Sequence, residues 1–494
     1  MRTKPAGTPH GLSKSKLLSS LQCAKRLWLE VHRPEAVETS PAAEQRYRAG
    51  HRVGEIARRL EGSGVLIESQ QNLAAALSET STQIDAGAKI LFEPAFRHGG
   101  VLVRADILRR RRAGYDVREV KSSTSVKDHH LQDAAIQTWV LQGTGIKMNT
   151  VVVQHLNKNF VYPGDDNYRG LFVEESVDSE IRPLLKDVPK WVAAARATLA
   201  GSEPEVRTGK HCSKPYDCPC FAYCVAKEPQ TEYPIAILPR AGKILPRLTE
   251  EGYRDVREIP PGRLTSENHE RVRRITRSGK RELSAGAKEA MRKLPYPRYY
   301  LDFETIGFPV PVWVGTRPYQ QIPFQWSCHV EHAPGRLEHR AHLDVSGNAP
   351  MQSVADSLLK ALGDKGPILA HNAGFEKARI EELARMLPKR AAALRRLASR
   401  LVDTLALSRA HYYHPAMKGS WSLKAILPTI APELDYGNVG EVQDGGAASA
   451  AYAELIAPAT GAERKAELKS ALERYCERDT LALVRLASFF QTGR

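Results

Sequence analysis

Two sets of carboxylates and one set of thiols carry most of this chain's chemical potential. In GVLVRADILRRRRAGYDVREVKSST, which begins at Gly100, Asp106 and Glu119 are accompanied by Lys121. In RYYLDFETIGFPVP, which begins at Arg298, Asp302 and Glu304 stand two residues apart, and Glu376, Tyr475 and Asp479 follow further on. In KHCSKPYDCPCFAYC, which begins at Lys210, four of the seven cysteines crowd between positions 212 and 224. Carboxylate oxygens are hard donors suited to Mg²⁺ or Mn²⁺, and a pair of such ions can clamp the attacking and leaving oxygens of phosphoryl transfer. A lysine beside them stabilises charge on the scissile phosphate. Clustered thiols in a reduced protein point to a bound metal.

The elements that must position these groups follow from residue patterns. Runs rich in Val, Ile and Leu flank RRRRAG, whose basic residues and glycine suit an exposed turn, so an antiparallel hairpin is expected. Strand periodicity puts Glu119 and Lys121 on one face, with Asp106 brought alongside. The segment from Arg298 reads as a strand with Asp302 and Glu304 on one face and Phe303 on the other. GPILAHNAGFEKARIEELARML predicts a buried strand, a turn at HNAG and a helix carrying Glu376 in its first turn. RYCERDTLALVRLASFF predicts a helix on which Tyr475 and Asp479, four apart, share a face. Asp302, Glu304, Glu376 and Asp479 then come from one strand and two helices and can surround a pair of divalent ions. Asp403, in VDT, reads as a helix cap. GTRPYQQIPFQWSCHV predicts a turn and a strand, with Arg317 suited to phosphate contact and Tyr319 to base stacking.

Composition sets the partner class. A net charge of +16 and a pI near 9.5 suit a polyanionic ligand. No apolar run approaches a membrane span, and the first thirty residues lack the apolar core of a signal peptide, so a cytoplasmic, reduced protein without a membrane partner is expected. The fold class is α/β, in three parts: 1–235, a connector 236–294 of short amphipathic pieces, and 295–494. The connector reads as a spacer or as a helix-hairpin-helix-like element touching nucleic-acid backbone.

The order of motifs in the first part, EQRYRAGHRVGEIARRL with His51, then Asp106, Glu119 and Lys121, then VKDHHLQDAAIQTWVLQ with Gln137, resembles the PD-(D/E)XK nucleases of RecB and AddB type, including CRISPR-adaptation exonucleases. The resemblance implies a restriction-endonuclease-like fold in which His51, Asp106 and Glu119 bind metal, Lys121 is catalytic, and Gln137 lies on the helix flanking the site. It also implies a 4Fe-4S cluster held by one early and three late cysteines. Cys23 is the early ligand, and Cys212, Cys218 and Cys224, evenly spaced, are chosen over Cys220 for the late ones. A zinc site built from the late cysteines, with or without His211, is the alternative, although no C-x-x-C knuckle is present.

The third part, with D-x-E, H-N-x-x-F-acid and Y-x-x-x-D in order, resembles DnaQ-like (DEDD) exonucleases of ribonuclease H-like fold, in the tyrosine-bearing subclass. That resemblance implies Asp302, Glu304, Glu376 and Asp479 as metal ligands and Tyr475 as the residue orienting the attacking water. One departure is Glu376, which stands where the family ordinarily has Asp; Asp403 as a compensating ligand is the alternative to its reading as a helix cap. Together the parts resemble bacterial fusions of a RecB-like iron–sulfur nuclease with a DnaQ-like exonuclease. The expectation is a two-site, metal-dependent nuclease that processes DNA ends, single-stranded in particular, in repair, recombination or defence. RNA processing, or nucleic-acid binding by a degenerate nuclease site, remain open alternatives.

Overall fold

The computed structural model describes residues 11–38, 41–69, 72–434 and 440–493. The chain is mixed α/β with several mixed sheets, and it divides into two compact units. One comprises residues up to 228 together with 308–319, and the other comprises 229–307 and 320 onwards.

The first unit holds strands β1 (Leu12–Ser13), β2 (Val65–Leu66), β3 (Ile90–Phe92), β4 (Ala95–His98), β5 (Val101–Arg104), β6 (Ile107–Arg110), β7 (Tyr115–Lys121), β8 (Met148–Leu156) and β9 (Phe172–Ser176). Six form a sheet in the order β2-β3-β6-β7-β8-β9, with β7 and β8 parallel. Residues Val151 to Leu156 of β8 are buried without alternation, as a strand covered on both faces requires. The helix Asp128–Gly143 makes the crossover from β7 to β8 and buries Ala134, Ala135, Ile136, Val140 and Leu141 in the same core as Val117, Val151 and Val153.

The expected hairpin forms between β6 and β7. Its first arm is not one strand, however. Ala105 and Asp106 break it, because β5 belongs to a separate three-stranded sheet, β1-β5-β4, and the chain turns there to enter the larger sheet. Asp106 therefore sits at a corner between two sheets.

The second unit holds β10 (Glu282–Leu283), β11 (Arg298–Ile306), β12 (Ile322–Ala333), β13 (Arg336–Leu343), β14 (Ile368–Ala370), β15 (Leu401–Asp403) and β16 (Tyr412–Tyr413). Five make a sheet in the order β13-β12-β11-β14-β15, in which β12 runs antiparallel to both neighbours while β11, β14 and β15 are parallel. The helix Ala462–Thr492 packs on it and buries Leu483, Leu486, Phe489 and Phe490. Three tyrosines, Tyr300, Tyr412 and Tyr413, are wholly buried there. Each hydroxyl has a partner: Glu331 at 2.7 Å, Thr429 at 2.8 Å and the amide of Gly419 at 2.9 Å, so their large apolar faces are buried with no unsatisfied polar atom.

Two boundaries differ from the sequence reading. Residues 236–294 do not stand apart as a connector: Leu248, Val256, Val272 and Met291 share one core with Tyr300, Tyr412 and Phe489. Their amphipathic faces are satisfied inside the second unit, which is why the segment is neither a spacer nor a free-standing element. Conversely, residues 308–319, which lie between β11 and β12 in sequence, fold with the first unit. Val310 joins the cluster of Val53, Ile56 and Leu156, and a two-way backbone pairing links Tyr162 with Gly315 (2.8 Å) and Thr316 (2.9 Å).

Candidate active sites and the cysteine pocket

At the end of β7, Glu119 and Lys121 lie on one face as the strand period demands. Lys121 Nζ donates to Glu119 Oε1 at 2.7 Å and to Asp133 of the crossover helix. Asp106 reaches the same place from its corner and accepts the amide of Val120 at 2.6 Å. Gln137 is one helical turn beyond Asp133, fully buried, and its Oε1 accepts from Lys14 at 3.0 Å. Lys14 also donates to Glu119 Oε1 at 2.9 Å and lies 2.9 Å from Asp133. Burial, then the charges of Asp106 and Asp133, push Glu119 up to about 7. Burial raises Asp106 against the pull of Lys14 and Lys121. Burial alone would lower Lys121, but Asp133, Glu119 and Asp106 outweigh it and hold the ammonium well above its ordinary value. Glu119 Oε2 and Gln137 Nε2 are buried without a hydrogen-bond partner.

His51 is placed differently from Asp106 and Glu119. It lies exposed on the helix Pro41–Glu61 with its ring edge-on to Tyr47, and among the described residues His51, Asp106 and Glu119 do not form a group whose ligand atoms all lie within 4.8 Å of one another. Arg317 and Tyr319 fold with the first unit, where the Tyr319 hydroxyl donates to the carbonyl of Ser122 at 2.6 Å, one residue beyond Lys121.

All five candidate cysteines, Cys23, Cys212, Cys218, Cys220 and Cys224, line one small cavity with Arg26, Thr208 and His211. Cys23 reaches it from the junction of two short helices, Lys14–Gln22 and Ala24–His32, and the other four from the loop and helix around 210–227. Cys220 is fully buried, and its hydrogen bond to Cys218 draws the Cys218 thiol down to about 6. Burial raises Cys212 and Cys224. Tetrahedral zinc at 2.3 Å per sulfur would hold its thiols about 3.8 Å apart. Among the described residues no three of these sulfurs lie within 4.8 Å of one another. Five thiols facing one cavity are a donor set that fits a thiolate-bound metal centre.

The second unit's acids converge from the elements the sequence predicted. On β11, Asp302 and Glu304 share a face, and their carboxylates lie with the thiol of Cys476 in a group whose ligand atoms are all within 4.8 Å. Burial raises Asp302 well above its ordinary value, with Asp479, Glu304 and Glu376 adding to the effect. Burial, then Asp479, pushes Glu304 up to about 8. Glu376, in the first turn of the helix Gly374–Met386, is 3 % exposed; burial pushes it up to about 8, and its Oε2 has no hydrogen-bond partner. Tyr475 is buried, with Lys424 Nζ 5.8 Å from its ring centre. Carboxylates this close and this buried are compensated either by protons or by a cation, and a set of hard oxygen donors fits a divalent ion. Asp403 caps the helix Thr404–His411 through the amide of Leu405 at 2.9 Å and also holds the amide of Asn372, at φ +71°, at 3.0 Å. It thereby fixes the HNAG turn that presents Glu376.

Four residues here escaped the sequence reading. Lys14 is 105 positions from Glu119 and carried no local signal. Asp133 carried one, since it stands four residues before Gln137 on the same helix face. So did Cys476, three before Asp479. Lys424 lies within GSWSLKAIL and its charge offsets that of Glu304.

Residues 299–422 match the family described as "Domain of unknown function (DUF2779)". The match takes in β11, the HNAG turn and Glu376. No curated protein matches the chain. A solved structure titled "Crystal structure of SSO0001" is 18 % identical over 46 % of this chain and 91 % of that one, with a TM-score of 0.24, too low to carry an argument. Among the described residues no helix is long and apolar enough to cross a membrane.

Proposed function

We propose that the protein is a divalent-metal-dependent nuclease with two active sites that processes DNA ends. The observation that carries this reading is the convergence of half-buried Asp302 with buried Glu304 and Cys476, with Glu376 and Asp479 close enough to raise Asp302 further. The strand order β13-β12-β11-β14-β15, with β12 antiparallel, favours a ribonuclease H-like assignment for this unit. The Asp106, Glu119 and Lys121 constellation beside a parallel strand pair favours the PD-(D/E)XK assignment for the first.

Mg²⁺ or Mn²⁺, when bound, supplies charge neutralisation at the scissile phosphate and polarises the attacking water. Asp302, Glu304, Glu376 and Asp479 would hold it in the second unit, and Tyr475 would orient the water. Asp106 and Glu119 would hold it in the first, with Lys121 opposing phosphate charge. The cysteines would hold an iron–sulfur cluster that ties Cys23 to the 212–224 loop.

Each unit also offers a groove suited to a polyanionic strand. In the first, Arg26, Lys127, Lys210 and Lys214 line a cleft with His129 and a half-exposed Tyr216. In the second, Arg240 and Arg409 line one that reaches His371 and Asn372. Backbone charge and a stacking ring suit single-stranded nucleic acid.

The test is product length from 5′-labelled and 3′-labelled single-stranded DNA, double-stranded DNA and RNA, in Mg²⁺ and in Mn²⁺. Parent, Lys121→Ala, Asp302→Ala and the double variant are compared. Asp302→Ala should abolish 3′ to 5′ trimming and spare the other activity, Lys121→Ala should do the reverse, and the double variant should be inert yet still bind DNA. Loss of every product in Asp302→Ala alone refutes the two-site reading.

A further inference from the structure

The helix Lys14–Gln22 begins at the acids of the first unit and ends at its cysteine pocket. Its first residue, Lys14, contacts Glu119 Oε1 (2.9 Å), Gln137 Oε1 (3.0 Å) and Asp133 Oδ1 (2.9 Å). Its last residue, Gln22, donates through Nε2 to the carbonyls of His211 and Tyr216, both at 2.7 Å, and Cys23 follows at once. Ser13 caps the start through the amide of Lys16, and Leu17 and Ser19 are buried against the body of the unit. The helix is thus fixed at both ends and along one face.

Lys121 joins Glu119 to Asp133. Lys14 reaches both and Gln137, from a different element, and so fixes strand β7 against the crossover helix. With Asp106, Glu119 and Asp133 facing Lys14 and Lys121, the group carries at most one net negative charge, reached when all three acids are ionised, which attracts a divalent ion yet restrains how tightly it is held.

We propose that Lys14 is a positioning residue of the first unit's active site: it holds the Glu119 carboxylate and the Gln137 amide in register for the metal and for Lys121, and it limits how tightly the metal is held. This inference rests on reading that site as a nuclease centre.

The test uses the full chain in an Asp302→Ala background, so that cleavage reports the first unit. The kcat and KM for single-stranded DNA and the Mn²⁺ affinity by titration calorimetry are measured for Lys14, Lys14→Met and Lys14→Arg. Lys14→Met should lower kcat by about 10-fold or more, with KM changed by less than about 3-fold, because the substrate-binding surface is untouched. It should bind Mn²⁺ more tightly, since one positive charge has left the same acids. Lys14→Arg should restore most of kcat, because the cation and a donor remain. A merely structural lysine predicts the opposite for the metal: looser Mn²⁺ binding together with lower melting, and that outcome overturns the positioning role. Unchanged kcat and Mn²⁺ affinity in Lys14→Met overturn it as well. If the Lys14 parent itself neither binds Mn²⁺ at this site nor cleaves, the nuclease reading of the unit fails and the inference falls with it.

Discussion

Glu304→Gln should flatten the pH dependence of the second unit's metal-free stability. Glu304 is 5 % exposed, and burial, followed by the charge of Asp479, lifts its carboxyl from 4.5 to about 8. A carboxyl whose folded value exceeds its unfolded value is held protonated by the folded chain. Its stabilising contribution is therefore complete below about pH 4.5 and is lost as pH rises through about 8. Inside that window one retained proton makes stability fall by about 1.36 kcal/mol per pH unit. The span of about 3.5 pH units caps the effect at about 5 kcal/mol, an upper bound because Asp302, raised beside it, titrates with it. For a unit of roughly 250 residues, 1 kcal/mol moves Tm by about 2–4 °C. The assay is calorimetry in chelator between about pH 5 and pH 8, with and without Mn²⁺. The parent's second-unit transition should descend across the window, and the variant's should descend by up to about 3–5 °C less per pH unit. Mn²⁺ should remove most of the parent's decline, since its charge replaces the proton's. A variant with the parent's slope refutes the assignment of that proton to Glu304, and a parent decline untouched by Mn²⁺ refutes an ion among these acids.

Anaerobically purified protein should contain about four irons and four acid-labile sulfides per chain; stoichiometric zinc without iron would exclude the cluster. Cys23→Ser should lower the melting of the first unit and leave that of the second, a comparison calorimetry resolves. Glu376→Ala should abolish 3′ to 5′ trimming while Glu376→Asp keeps part of it, measured on 5′-labelled strands; an alanine variant as active as the parent removes Glu376 from the site. Cd²⁺ should inhibit trimming by the parent at lower concentration than trimming by Cys476→Ser, because a soft sulfur stands among hard oxygens there. Equal sensitivity would take the thiol out of the ion's reach.

What the sequence discloses is what a short period encodes. Asp302 and Glu304 share a face because strand side chains alternate, and Glu376 enters on the first turn of its helix because HNAG stops one element and starts the next. Asp403 as a cap was legible in the same way, from an Asp before a helical run, though its second bond to the Asn372 amide was not. The hairpin was legible except at Ala105 and Asp106, where the break depends on a second sheet that no local pattern announces.

Long-range convergence left weaker marks or none. Lys14 sits in a basic N-terminal stretch that looks like any solvated face, yet it is half-buried and paired with both Glu119 and Asp133. The reading of 236–294 as a connector failed for a related reason: short amphipathic pieces reveal that one face must be buried but not against what. The same holds for 308–319, whose prolines and glycine read as a turn while Val310 and the pairing with Tyr162 give it to the other unit's core. The acids themselves show why these sites are recognisable once folded. A carboxylate left buried without a cation works against the fold, so Glu119, raised to about 7, and Glu304 and Glu376, raised to about 8, hold protons near neutral pH that a bound cation, as proposed, would displace. In the first unit Lys14 and Lys121 supply part of that charge through direct ion pairs; in the second, Lys424 offsets Glu304 and Arg379 offsets Glu376, while Asp302 is raised by three neighbouring acids, so the second unit's stability should answer strongly to added metal.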